Sequence, residues 1–277
     1  MDCISPITLK TSGKNTTVPC GKCNFCLEKR RNDWSFRLED ELKMSDTAVF
    51  ITLTYAEENM PWHEFGVPTL KKSDMREFTK KLFYQQSKEN KGKPKNCPKL
   101  KYYLCGEYGT KSWRPHYHMI AFNLLPEVIK KLEKLWDKGF IKIGTVTQAS
   151  ISYVSGYVIN LNQNYPEGML KPFSSMSKGI GENYLYTNYK YHLENKQDYV
   201  RRGDIIQRLP RYYRDKIFGV KSKEEMAKKA VQHSDKQYKK QKIYRAKSNP
   251  DADKAIYDSR IKRYNEIKIN KSKNDKI

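Results

Sequence analysis

The chain has 277 residues, with 54 Lys and Arg against 31 Asp and Glu, and a formal net charge of +23. No run approaches about 18 consecutive apolar residues, and MDCISPITLK at the start has no basic region followed by an apolar stretch, so neither a membrane-spanning helix nor a secretory signal is expected. Such positive charge, interleaved with 20 Tyr and 10 Phe, points to a polyanion, nucleic acid before a membrane surface.

The length suits one catalytic-size domain with extensions. Residues 1–45 read as a Cys-rich lead-in followed by a helix, 46–219 as the main domain with its own extension, and 220–277 as a basic tail. Without a secretion signal the six cysteines are expected to be reduced. Three of them form Cys20-Gly-Lys-Cys23-Asn-Phe-Cys26, two overlapping C-x2-C spacings. Such turns deliver sulfurs in pairs to a tetrahedral Zn²⁺, with Cys3 the nearest candidate for a fourth ligand and His63 its rival. Cys97 reads as a loop residue and Cys105 as a small apolar strand residue.

Leu27, Trp34, Leu38 and Leu42 fall near one face of a helix over 27–44. The β-rich run AVFITLTY over 48–55 is a strand. A loop with Pro61, Gly66 and Pro68 follows, and then a helix with Ser73 as its expected cap and Met75, Phe78 and Leu82 on one face. Strands are expected over 100–106, 116–124 and 140–147. Between the last two, Pro126 opens a helix that Gly139 stops. A helix over 149–162 carries Tyr153 and Tyr157. The order is βαββαβ plus one helix, an α+β class with a central antiparallel, split-βαβ, ferredoxin- or RRM-like sheet. Residues 221–277 hold 18 Lys and Arg against 8 Asp and Glu with sparse apolar residues, the pattern of a basic helical or partly disordered tail suited to phosphate contact.

His116 and His118 lie two apart in a strand, so both imidazoles leave the same face. Glu107 precedes His116 by nine residues and returns beside it if the two strands form a hairpin. Two imidazoles and one carboxylate suit Mn²⁺, or Mg²⁺ with phosphate and water completing the shell. Tyr153 and Tyr157 are four apart and stack on one helical face. Arg114, Trp113, Tyr102 and Lys142 are candidate DNA contacts, the cation for phosphate and the aromatic ring for unpaired bases.

The strand H-x-H, the upstream Glu and the following tyrosine helix together resemble the HUH endonucleases. More closely, the chain resembles the replication initiators of microviruses, in particular the gokushovirus branch. Pro19-Cys-Gly-Lys-Cys23, Phe50-Ile-Thr-Leu-Thr-Tyr55, Gly106-Glu-Tyr-Gly109, Arg114-Pro-His-Tyr-His118, Tyr153-Val-Ser-Gly-Tyr157, Met176-Ser-Lys-Gly-Ile-Gly181 and Leu209-Pro-Arg-Tyr-Tyr213 carry the likeness in order. The resemblance implies a metal held by Glu107, His116 and His118, and Tyr153 and Tyr157 as alternating nucleophiles. It also implies nicking of one strand at a phage origin through a 5′-phosphotyrosine, then rejoining of the single-stranded circle, in the cytoplasm of an infected bacterium. Relatives often carry basic residues where this chain has Gly156 and Asn160. No G-x-x-x-x-G-K-[ST] loop is present, so host helicase, polymerase and single-strand binding protein are the implied partners, and no membrane. The competing readings are an HUH transposase or relaxase and a non-catalytic RRM-like binder, which would bind DNA without metal dependence or a covalent product.

Overall fold

The computed structural model describes residues 3–11, 14–92, 98–109, 112–156, 165–229 and 262. They belong to two compact units, Met1–Asn183 and Tyr184–Ile277. No helix among the described residues is long and apolar enough to cross a membrane. Cys97 and Tyr157 lie outside the described residues, as do the end of the expected tyrosine helix and nearly all of the tail beyond residue 229.

The first unit is α+β. A hairpin of β1 (Ile7–Thr11) and β2 (Lys14–Val18) leads into α1 (Asn24–Lys43). Then come β3 (Ala48–Tyr55), α2 (Lys72–Glu89), β4 (Lys101–Tyr108) and β5 (Pro115–Phe122). The short helices α3 (Pro126–Ile129) and α4 (Leu132–Leu135) precede β6 (Gly139–Thr145), α5 (Gln148–Gly156) and β7 (Phe173–Met176). Five strands form one antiparallel sheet in the order β6-β3-β5-β4-β7.

Alternation along each strand sends one set of side chains to each face. On one face Ile51, Leu53, Leu104 and Met119 meet Met75, Phe78 and Leu82 of α2, with Val128, Leu132 and Trp136 beside them. On the other, Tyr103, Cys105, Ile120 and Phe122 meet Leu38 of α1 and Ile151 and Val154 of α5. Cys105 is thus the apolar strand residue its surroundings require.

The expected Ser73 cap is displaced. The helix starts at Lys72 with Lys71 at the cap position, and the Ser73 hydroxyl donates instead to Asp74. Asp74 turns inward because the buried Tyr55 hydroxyl, 3.1 Å from the Tyr117 hydroxyl, needs an acceptor, and Asp74 Oδ2 is 2.9 Å away. The single helix expected after Pro126 is two pieces. Lys131 N–H bonds Val128 O, a three-residue step that breaks the run while Val128, Leu132 and Trp136 stay buried. Gly139 opens β6 rather than ending a helix: at φ +155° a side chain there would meet Thr54 O at 2.3 Å.

The hairpin β1–β2, the fifth strand β7 and its docking loop were not among the expected elements. In that loop the Gly181 N–H donates to the buried Glu41 of α1 (2.7 Å), which also pairs with Lys101 (2.8 Å).

The second unit holds α6 (Asn183–Glu194), a hairpin of β8 (Tyr199–Arg202) and β9 (Ile205–Arg208), α7 (Arg211–Ile217) and a helical stretch over 220–229. Buried His192 organises it. The Gln197 carbonyl can only accept, so Nδ1 donates to it (2.7 Å) and Nε2 accepts from the Tyr184 hydroxyl (2.7 Å). Tyr184 packs on Tyr213 at 4.8 Å between ring centroids.

Candidate metal and tyrosine site

The antiparallel register of β4 and β5 places Glu107 directly opposite His116. His118, two residues on, leaves the same face. Both rings converge on one carboxylate oxygen: Glu107 Oε1 lies 2.7 Å from His116 Nε2 and 2.8 Å from His118 Nε2. The three ligand atoms fall within 4.8 Å of one another. Glu107 and His118 are buried and His116 is half-buried.

Each imidazole is held from behind. His116 Nδ1 lies 3.1 Å from Arg114 O, and a carbonyl only accepts, so Nδ1 carries the hydrogen and the neutral ring keeps its lone pair at Nε2. His118 Nδ1 lies 3.0 Å from Thr52 Oγ1, and the Phe50 ring stacks on His118 at 5.6 Å. Lone-pair nitrogens facing a carboxylate oxygen need a cation between them, a proton or a metal. Such anchoring of the rear nitrogen is typical of metal-binding histidines. The donor set therefore fits a divalent ion.

The electrostatics reflect this convergence. Burial works to raise the Glu107 carboxyl, but hydrogen bonds from His116 and His118 outweigh it and hold it below the ordinary range. Burial pulls His118 down despite Glu107. At His116 burial pulls the same way, but there the Glu107 hydrogen bond and charge outweigh it and raise the ring.

Helix α5 adds the phenol. The Tyr153 hydroxyl donates to Glu107 Oε1 at 3.2 Å and lies 3.5 Å from His118 Nε2. Tyr153 packs edge-on to His118 and Phe50, with 39% of its surface exposed. A substrate can therefore reach it.

The other candidates divide. Lys142 of β6 pairs with Thr52, which pairs with His118, so it shares the site face and is exposed. Arg114 immediately precedes the site strand, donates to Tyr55 O (2.9 Å) and pairs with Glu57. Trp113 has a left-handed backbone (φ 53°), is 43% exposed, and groups with Tyr108 and Tyr165. Tyr102 is not brought to the site. Its neighbours in β4 alternate, so it faces α2, with its ring against Phe83 and its hydroxyl 3.3 Å from Ser175. The roles of Thr52 and Phe50 as supports of His118 were not readable without the β3–β5 register, although Thr52 stood in a quoted motif.

A second group sits at the start of the chain. Cys3, Cys20, Cys23 and Cys26 place their sulfurs within 4.8 Å of one another, with Cys23–Cys3 at 3.8 Å and Cys20–Cys26 at 4.0 Å. Four sulfurs about 2.3 Å from a tetrahedral Zn²⁺ stand about 3.8 Å apart, so this arrangement fits the ion. Gly21, at φ +73°, turns the chain so that Lys22 and Cys23 N–H groups point at Cys20 Sγ (3.4 and 3.3 Å). Those donors pull the Cys20 thiol down to about 6, while burial pushes Cys26 up to about 12. His63 is not in this group; its ring lies 4.9 Å from that of Phe65.

Residues 48–162, the stretch from β3 through α5, match the family model of Replication-associated protein ORF2. The chain is 31% identical over 212 residues to Replication-associated protein ORF2 of Spiroplasma virus 4, covering 69% of this chain and 62% of that protein. It is 32% identical over 224 residues to Replication-associated protein VP4 of Bdellovibrio phage phiMH2K (71% and 66%), and 25% identical to Replication-associated protein ORF4 of Chlamydia phage 1 (72% and 53%). These matches span less than two thirds of each relative's own length. No solved structure matches the chain.

Proposed function

The chain belongs to the replication-associated protein family of small phages, and from that premise we propose that it initiates rolling-circle replication by nicking and rejoining one DNA strand through tyrosine. The observation that carries this reading is the Tyr153 hydroxyl within 3.5 Å of both the Glu107 carboxylate and the His118 imidazole. The sheet supports it. Numbered along the βαββαβ run, the first four strands stand in the order 4-1-3-2, which suits a split-βαβ HUH domain.

Glu107, His116 and His118 would hold the divalent cation. Mg²⁺ or Mn²⁺ supplies Lewis-acid polarisation of the phosphate and offsets the charge gained in the transition state. The protein's own residues do the rest. Helix α5 holds the Tyr153 oxygen beside the cluster for in-line attack, which lowers the entropic barrier. A free phenol, with a pKa near 10, is a poor nucleophile at neutral pH, and Glu107 is placed to accept its hydrogen bond. Attack forms the Tyr O–P bond and breaks the P–O3′ bond. The phenol loses its proton, and the leaving 3′ oxygen gains one to become the free 3′-OH that primes synthesis. The phosphotyrosine keeps the energy of the broken ester, so rejoining needs no nucleotide. After one circle Tyr157 serves as the second nucleophile, and the new 3′-OH attacks the first phosphotyrosine to close the circle. Arg114, Trp113 and Lys142 hold the strand, and Cys3, Cys20, Cys23 and Cys26 bind a structural Zn²⁺. Host helicase, polymerase and single-strand binding protein complete the work on phage origin DNA in the infected bacterium.

The test is adduct formation on single-stranded phage DNA labelled 3′ of the cut, with Mn²⁺. Wild type is expected to give a protein-linked band that chelator removes and that only Tyr153→Phe with Tyr157→Phe abolishes fully. Loss in one single variant alone indicates a one-tyrosine enzyme. Tight binding with no adduct on any strand overturns the nickase reading.

A further inference from the structure

The sheet face bearing the histidines is covered unevenly. Helices α1 and α5 close its β4–β5 end over Tyr103, Cys105, Ile120 and Phe122. Towards the edge strand β6 the same face stays open. The registers carry two rows of side chains across it. Glu107, His116, Thr54 and Phe140 form one; Cys105, His118, Thr52 and Lys142 form the other. Phe140 is 70% exposed, and Lys142 beside it is exposed too.

Scattered exposed apolar residues are ordinary. Phe140 is not placed at random: it ends the row that begins with the Glu107–His116 pair. Neighbouring strands lie about 4.8 Å apart, so two strands separate it from His116 by roughly 10 Å. At about 3.4 Å per stacked nucleotide, that is within roughly three nucleotides of a phosphate at the cluster. Glu107 is the one acid in the two rows, and both histidines already engage it. The open part offers a ring, an ammonium and two threonine hydroxyls, the set that unpaired bases and a phosphodiester chain use.

We propose that Phe140 is a stacking platform for a base of single-stranded DNA, with Lys142 on a neighbouring phosphate, so that the open half of the sheet face grips the nucleotides flanking the cleaved bond. The location rests on the nickase reading; the stacking itself does not.

The test uses the full chain and a fluorescein-labelled oligothymidine, read by anisotropy. One lost stacking contact corresponds to about a ten-fold rise in Kd, which is expected for Phe140→Ala, with Phe140→Trp restoring wild-type affinity. Wild type irradiated with the same strand carrying 5-iododeoxyuridine is expected to cross-link through the peptide containing Phe140, a readout needing no variant. Unchanged affinity in Phe140→Ala, or cross-links only elsewhere, overturns the platform. Adduct formation on phage single strands is read in parallel. If the strand is cut but Phe140 is silent, only the platform fails. If Phe140 responds but no strand is ever cut, the platform stands and the nickase reading fails.

Discussion

Four sulfurs before α1 and a carboxylate with two imidazoles on the sheet are gathered by different means. The sulfurs come from a local knuckle over residues 3–26, where backbone N–H groups aim at Cys20 and Gly21 makes the turn. They make a complete tetrahedral set, with no place for a substrate. Glu107, His116 and His118 come from two paired strands, so their spacing is set by sheet register rather than by a turn. They are three ligands with a half-exposed phenol alongside. A closed set holds structure; an open set leaves positions for chemistry. The two groups should therefore fail differently.

The sharpest break is expected from His118→Ala. Adduct formation should fall by about a thousand-fold, as when a transition-state stabiliser is removed, while the zinc bound at the cysteines stays unchanged. A variant that still forms adduct at the wild-type rate would remove the cluster from the chemistry. Cys20→Ser should show the converse. Zinc content, measured by atomic emission, should drop, and the unit should lose about 2–3 kcal/mol, seen as a melting point lower by about 5–10 °C. Adduct formation in the cold should stay within about ten-fold of wild type. Thr52→Val comes next. Losing the 3.0 Å contact behind His118 should weaken Mn²⁺ binding by about 10–100-fold, titrated by electron paramagnetic resonance, with zinc untouched. Unchanged Mn²⁺ affinity would mean that Phe50 and Glu107 alone fix the ring.

Much of the open site was legible because it obeys local periodicity. The H-x-H on one strand face needs only the two-residue repeat, and Glu107 needs only a hairpin. The closed site was legible from C-x2-C spacing, although choosing Cys3 over His63 took three-dimensional proximity. What stayed hidden depends on partners far along the chain. Thr52 supports His118 across 66 residues. Tyr102 looked like a stacking residue, but the alternation of β4 turns it to the opposite face. Strand β7 and the hairpin β1–β2 escaped because their short, mostly half-exposed or exposed strands lack a clear apolar stripe. In α5, Tyr153 sits where helical spacing put it, whereas Tyr157 lies outside the described residues.

The smallest expected effect asks whether the two regions communicate. Cys23 caps α1, and α5 carries Tyr153, so α1 physically joins the knuckle to the nucleophile's helix. Their polar link is Ser35 Oγ to Ser155 Oγ at 2.8 Å. Ser155 also reaches Ile151 O at 2.8 Å, and its one hydrogen goes there, so Ser35 is the donor between the hydroxyls. Ser35→Ala therefore strands no buried donor, and the cost should be about 0.5–1 kcal/mol, or roughly 2–3 °C in melting point. If α1 steadies Tyr153, the same variant should slow adduct formation by about two- to five-fold while leaving Mn²⁺ and zinc binding alone, because only the phenol's orientation has loosened. A melting shift without any change in adduct rate would show that the closed cluster braces the fold and nothing more, and that the open cluster positions its nucleophile through α5 and the sheet.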